Sequence, residues 1–375
     1  MHRGKTLWCA KWTSDCKMKL LDRYIILKYI STFFVMLGMF IPISVLVDLS
    51  QKIDKFKQYE LTQSEILSHY YDFVWVFGYM LFPIFLFLSV IWFTSKLASN
   101  TEVIAILSSG VSFYRYLRPF LIGAAFIAAL AFGASMFWVP NASERYNDFE
   151  YTYINKNQKV RLTENIYKQL SENDFVYLSS YNANRKIGYN FTWEHFDGDE
   201  LAYKIKAQNI RWVEKDSLHR LSQFFQRSMI DEQEIIRKES RLDTLFNFDL
   251  DELVPVTYKA QTLNFFELNE YIKEEQKNGS PLINQHLLVR HKRWTTPISA
   301  FILTLIAVAM ASFKKRGGMG VNLAAGIILA FIYIFFDKIF EVMVEKSNFT
   351  PWIAAWIPNA IFAVLSVYLL RHAKR

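Results

Sequence analysis

The chain is almost without cysteine. Of its 375 residues only Cys9 and Cys16 are of that type. No disulfide framework can therefore hold an exported part together. The opening stretch MHRGKTLWCAKWTSDCK has no apolar run long enough for a signal peptide. MKLLDRYIILKY, from Met18, reads as an ordinary start running into an apolar helix, so Met1 and Met18 both stay open as starts. Nucleotide and catalytic signatures are also missing. No GxxxxGK[ST] occurs, and RGGMG lacks the lysine and serine and follows no strand. HExxH and GxSxG are absent too. His286 and His291 stand five apart with no third ligand in view, so the residues point to no metal site. The long apolar segments carry no charge near their centres, which argues against an ion-coupled carrier. A chain with these gaps that moves anything uphill must draw its energy from a partner. No cofactor is expected in it, and no catalytic residue is assigned.

What is present is apolar and aromatic. Hydrophobic residues make up 52% and aromatic residues 17%, with 33 Phe. A soluble domain of this length is rarely so rich in Phe, Tyr and Trp. The mean hydropathy is nevertheless close to neutral, so a sizeable polar part accompanies the apolar one. A membrane-spanning helix needs about 20 mostly apolar residues. Six stretches fit: Ile25–Val47, Phe73–Phe93, Phe120–Val139, Pro297–Phe313, Val321–Phe340 and Ile353–Leu370. Three precede a polar block and three follow it. The net charge of +8 suits anionic lipid or phosphate without deciding between them.

Basic residues in short loops orient such a chain. The N-terminal tail carries Lys5, Lys11, Lys17, Lys19 and Arg23. The loop after the second span carries Lys96, Arg115 and Arg118, the turn after the fourth is KKRGG, and the end is RHAKR. All four fall on one side, expected to be cytoplasmic. Asp48–Asp72, Pro140–Trp294 and Glu341–Pro351 then lie outside. Two outer clusters break the bias: Lys52, Lys55 and Lys57, and Arg290, Lys292 and Arg293. Arg145 lies at similar depth. Two readings stay open for them: anchoring of the spans at headgroups, or binding of lipid phosphates. Arginine suits the second best, because its planar fork takes two phosphate oxygens at once.

The outer block reads as β-rich. NDFVYLSSY, NFTWEHF, LAYKIKAQNIRWVE and LHRLSQFFQRS are aromatic and β-branched runs separated by polar turns. TLNFFELNEYIKEEQKNGSP reads as a helix ended by Gly279 and Pro281. The expected organisation is a tail over 1–20, three spans over 21–139, an inserted all-β, jellyroll-like domain over 140–290 and three spans over 291–375. Between the second and third spans, near 98–113, EVIAILSSGVS interrupts the apolar run. Val103, Ile104, Ile106 and Leu107 give it an apolar stripe. Glu102 complements the helix dipole, Asn100 or Thr101 can cap it and Gly110 can end it. It is either a helix that only turns the chain at the membrane surface or one that docks an ATPase.

Several motifs, in order, resemble the LptF/LptG family of export permeases. They are LDRYI (Leu21–Ile25), ExxAxxxSGxS (Glu102, Ala105, Ser109, Gly110, Ser112), DFVYL, RxxxPxS (Arg293, Pro297, Ser299), RGGMGVNLAAG and WIAAWIPN (Trp352–Asn359). LDRYI and FDKIF (Phe336–Phe340) are closer to its LptG branch; a basic residue that some LptG proteins carry aligns with Asp48 here. The resemblance implies a multi-pass inner-membrane subunit of an ABC exporter. That exporter extracts lipopolysaccharide and passes it to an LptC-like periplasmic bridge. It implies a paired LptF/LptG-type permease and a dimer of an LptB-like ATPase beneath. Glu102, Ala105, Ser109, Gly110 and Ser112 then couple to the ATPase, and Phe-rich spans one and five wall the lipid cavity. A mechanotransmission or lipoprotein-releasing permease is the rival, but such chains have four spans. A membrane-embedded enzyme or an envelope scaffold are the others.

Overall fold

The computed structural model describes residues 20–154, 164–182, 185–198, 200–213, 217–230, 233–246, 248–254, 256–312 and 318–373. The N-terminal tail with both cysteines, most of the KKRGG turn and the last two residues lie outside the described residues.

Six helices are long and apolar enough to cross a membrane, three before the sheet and three after it. The first is α1, Leu20–Gln58, and the second is α2, Gln63–Ser99. A capping box starts α2: the Thr62 hydroxyl accepts from Glu65 N–H, and the Glu65 carboxylate accepts from Thr62 N–H at 2.8 Å. Short α3, Glu102–Ser108, leads into a 42-residue rod, Phe113–Ile154. The rod consists of α4 (Phe113–Gly133), a π-helical turn (Ala134–Trp138), α5 (Val139–Phe149) and a second π turn (Glu150–Ile154). After the sheet come α6 (Leu250–Leu253), α7 (Lys259–Thr262) and α8 (Phe265–Lys277). The last three spans are α9 (Ile283–Ala311), α10 (Gly318–Ser347) and α11 (Pro351–His372). Several helices outrun the apolar stretches that define the spans, so their ends stand beyond membrane depth.

Helix α9 is the hub, packed on α2, α4 and α11. Of its apolar stretch 61% is buried, the largest share among the six. Phe87, Ile91, Phe120, Ile127, Leu303 and Ile306 fill the shared core. Glycines let helices approach closely: a Cβ at Gly123 would stand 2.2 Å from the Tyr29 ring, and one at Gly326 2.2 Å from Ile91.

The polar block is only partly β. The rod carries the third helix on to Ile154, and six antiparallel strands follow. They are β1 (Glu164–Gln169), β2 (Asp174–Asn182), β3 (Ile187–Asp197), β4 (Glu200–Val213), β5 (Leu218–Ile230) and β6 (Gln233–Thr244). Their spatial order is their sequence order, so the inserted domain is realised as one up-and-down meander. Val176, Leu178, Phe191, Ile210 and Leu221 form its core, with Leu250, Leu253 and Val254 of the returning chain among them. Strand β6 is mostly exposed, with Leu242 packed on the core, and forms one edge. The expected helix after the sheet is α8. Asn264 caps it, and Gly279, at φ +63°, follows its end.

Candidate functional site

The α3 turn lies at the end of the bundle opposite the sheet. Val103 is fully buried, and Ile106 and Leu107 pack half-buried on the core. Ile104 does not share their stripe. It lies one step round the helix and is 50% exposed. Ala105, Ser108, Ser109 and Gly110 are exposed with it, so the outward face is small and apolar-polar. The capping expectation is corrected. Thr101 holds the cap position in the left-handed region at φ 61°, and its hydroxyl donates to Asn100 O rather than accepting from the helix. Asn100 instead donates its side-chain amide to Glu102 Oε1 at 3.2 Å. Gly110 ends the turn at φ +88°, a backbone region where glycine is unstrained. Ser112 caps α4, accepting from Arg115 N–H.

Two partners of this turn were not foreseen. Tyr24 Oη donates to Glu102 Oε2 at 3.3 Å. Arg115 grips Asp22 with both ends of its guanidinium, at 2.9 and 2.7 Å. Asp22 and Tyr24 belong to LDRYI. That motif thus sits against the α3 turn as well as starting α1. The signal in the sequence was an acid, Asp22, in the first turn of a helix that runs directly into an apolar span.

The basic candidates lie at the sheet end, and most of them face carboxylates. Lys52 bridges Asp48, at 2.9 Å, and Glu150. Lys55 donates to the backbone oxygen of Ile154. Arg145 grips buried Asp72 through Nε and Nη2, though its own side chain is 56% exposed. Lys292 binds Asp337 at 2.8 Å and Glu341 at 2.7 Å, tying α9 to α10. Arg293 is 5% exposed. Its Nη2 donates to Leu263 O and Ala260 O, which fastens the chain returning from the sheet onto α9. Among the described residues Lys57, exposed, and Arg290, half-buried, pair with no carboxylate. Acids thus stand opposite three of the bases that break the charge bias at this end, Lys52, Arg145 and Lys292.

In the sheet, Ser171, Asp174 and His195 are the residue types of a hydrolase triad in the wrong arrangement. Ser171 Oγ donates to Asp174 Oδ2 at 2.6 Å, and His195 Nδ1 meets Asp174 Oδ1 at 2.7 Å, so the hydroxyl has no base. Trp193 donates to the same carboxylate. Burial works to raise the Asp174 carboxyl, but these hydrogen bonds outweigh it and hold the group below its usual range. The cluster closes the β2–β3 ladder.

Two spans are left bare. Of the apolar stretch of α1 only 11% is buried, and of that of α10 only 22%. Both pack on α2. Between the three lies a wholly apolar cleft of about 230 Å³ lined by Phe40, Phe85, Leu88, Ile327, Phe331 and Ile334 among others. A second cleft, of about 650 Å³, opens between α1 and α2 nearer the sheet, with Ile41, Leu46, Leu67 and Tyr71 on its walls. Side chains of this kind and breadth suit acyl chains.

Comparison with known proteins points the same way. Residues 23–372 match the family described as lipopolysaccharide export system permease LptF/LptG. The permease protein LptG of Escherichia coli K12 is 24% identical to the chain over 200 residues, covering 53% of this chain and 55% of that protein. The LptG of Escherichia coli O6:H1 (strain CFT073) matches to the same extent. The chain thus spans about half the length of the curated relatives it matches. The family pattern runs through all six spans and the sheet between them, and this multi-pass membrane protein belongs to the lipopolysaccharide export system permease LptF/LptG family.

Proposed function

We propose that the chain is a permease subunit of an exporter that lifts lipopolysaccharide from the inner membrane and hands it to a periplasmic bridge. A separate cytoplasmic ATPase of the LptB kind supplies the energy. The observation that carries this reading is the pair of bare helices, α1 and α10, flanking α2. A span whose apolar face is largely uncovered in a six-helix bundle is open either to lipid or to a partner. Two such faces beside an apolar cleft make half of a wide cavity, which a paired LptF/LptG-type permease would complete. The glycolipid carries several acyl chains, so an apolar wall is what its passage needs. The chain performs no bond chemistry in this scheme and holds no cofactor.

The α3 end is then cytoplasmic and the sheet end periplasmic. The outward face of α3, with Glu102, Ala105, Ser109 and Gly110, meets the ATPase dimer, and Ser112 fixes the start of the rod behind it. The open β6 edge suits addition of a further strand from an LptC-like bridge. Lys57 and Arg290 are the cations best placed for the lipid phosphates. Lys52, Lys55, Arg145, Lys292 and Arg293 are committed to protein partners, and their part is to shape the cavity mouth.

The test is charge reversal at the coupling turn. Glu102→Lys replaces attraction to a basic partner by repulsion. It is expected to lower co-purification of the ATPase at least about tenfold, a change of about 1.4 kcal/mol. Wild-type yield together with full lipopolysaccharide-stimulated hydrolysis would refute the coupling role.

A further inference from the structure

Helix α1 has the barest apolar face of the six spans, yet both its ends are fastened to one element. At the α3 end, Asp22 is held by Arg115 in the first turn of the rod. At the sheet end, Lys52 is held by Glu150 in the rod's last turn, and Lys55 by the backbone oxygen of Ile154. The two fastenings lie about 45 Å apart along α1 at 1.5 Å per residue. Asp22 is nearly buried, and Lys52 and Glu150 are mostly so. Screening is weak at such sites. Removing one partner leaves a charge stranded, which resists separation of the pair. In between, the Tyr29 ring lies against Gly123 of the rod.

Helix α10 is held differently. Its sheet end is tied to α9 through Lys292, and its other end to α2 through Asn322 and Ser95. Among the described residues no ion pair joins α10 to α1 or to the rod. Helix α1 too bonds α9 and α2, through Tyr29–Thr304 and Asp48–Tyr70, but among the described residues it alone of the two bare helices is ion-paired to the rod.

We propose that α1 and the rod form a single lever, with Asp22–Arg115 and Lys52–Glu150 as its pins, so that the wall formed by α1 moves only when the rod moves. The rod begins just past Gly110 and ends at Ile154, ahead of the sheet. A displacement of α3 is thus delivered along the rod and along α1 together. Any widening beside α1 comes from α10 or from the facing permease. This deepens the proposed function and rests on its reading that α3 receives the ATPase's movement.

The experiment uses the full chain in lipid nanodiscs with Cys9→Ser and Cys16→Ser. Spin labels are placed at exposed Gln58 and Asp148, for α1 against the rod, and at Gln58 and Glu345, for α1 against α10. The first arm uses the chain alone. Arg115→Ala with Lys52→Ala should broaden the 58–148 distance distribution. The exchange Asp22→Arg with Arg115→Asp, in the presence of Lys52, should keep it narrow. A distribution unchanged by loss of both pins overturns the lever. The second arm adds the paired permease and the ATPase, with and without trapped nucleotide. The 58–148 distance should hold within about 2 Å while the 58–345 distance changes. A shift of about one helical turn, 5 Å, in the 58–148 pair overturns the proposal. Should the ATPase fail to bind, the proposed function fails, and the first arm still decides the lever.

Discussion

At the scale of single residues, a facing carboxylate or backbone oxygen decides what each basic side chain does. Lys52, Arg145 and Lys292 look alike in sequence to Lys57 and Arg290, and the difference lies in Asp48, Glu150, Asp72, Asp337 and Glu341 opposite them. Asp48 stands one helical turn from Lys52, but the other partners lie between 45 and 98 residues away in the chain, where no local pattern supplies them. His219 gives a sharper test at this scale. Its side chain is nearly unexposed beside Trp212, Phe246 and Phe248. Nδ1 accepts from Phe246 N–H, and Nε2 has no partner. Burial pushes the imidazole below its ordinary range, against a smaller opposing pull from Asp249. The folded sheet thus favours the neutral ring. Stability is full above the unfolded value of about 6.5 and falls as the pH drops below it, by at most about 1.4 kcal/mol per unit. Hydrogen exchange of β5, corrected for intrinsic rate, should show protection declining as the pH falls below about 6.5. His219→Phe should flatten that decline; an equal decline in the variant would assign it to other groups.

At the scale of elements, the spans were legible because length and apolarity suffice to define them. The strands β2 to β5 were legible too, through aromatic and β-branched runs. Strands β1 and β6 were not. ENIYKQ is short, and QEIIRKESRLDT is charged on both faces because little of it is covered. Burial imposes alternation, and an edge strand without burial carries none. The rod's continuation to Ile154 was hidden for a similar reason, since ERYNDFEYTY has no apolar excess. Helix contacts make a separate prediction. A side chain at Gly123 would strike the Tyr29 ring, whose hydroxyl is held by Thr304 at 2.9 Å. The ring cannot retreat without losing that bond. Gly123→Val should therefore destabilise the bundle by about 1–3 kcal/mol, seen as a lower Tm in detergent. An unchanged Tm would mean that α1 and α4 part at no cost, which would also undercut the lever.

At the scale of the whole molecule, orientation rests on the loop charges, and six crossings put the α3 turn and the far end of α11 on one side. Asn190, exposed on β3, and Arg371, exposed at the end of α11, lie on opposite sides of that scheme. In a cysteine-free background, Asn190→Cys should react with a membrane-impermeant maleimide in intact spheroplasts. Arg371→Cys should react only after lysis. The reverse pattern would invert the protein, and equal reaction at both sites would remove one crossing.

The sequential order of the six strands has a consequence for how the protein is made. Every strand pairs with the one just synthesised. Such short-range pairing closes quickly, because little chain must be looped to form it. The sheet and the Leu250, Leu253 and Val254 side chains that complete its core all precede the last two spans in the order of synthesis, so it can close before α10 and α11 are complete. In the proposed orientation, a body folded on the periplasmic side cannot slip back through the translocation channel, so the first spans are locked in place while the last are still being translated.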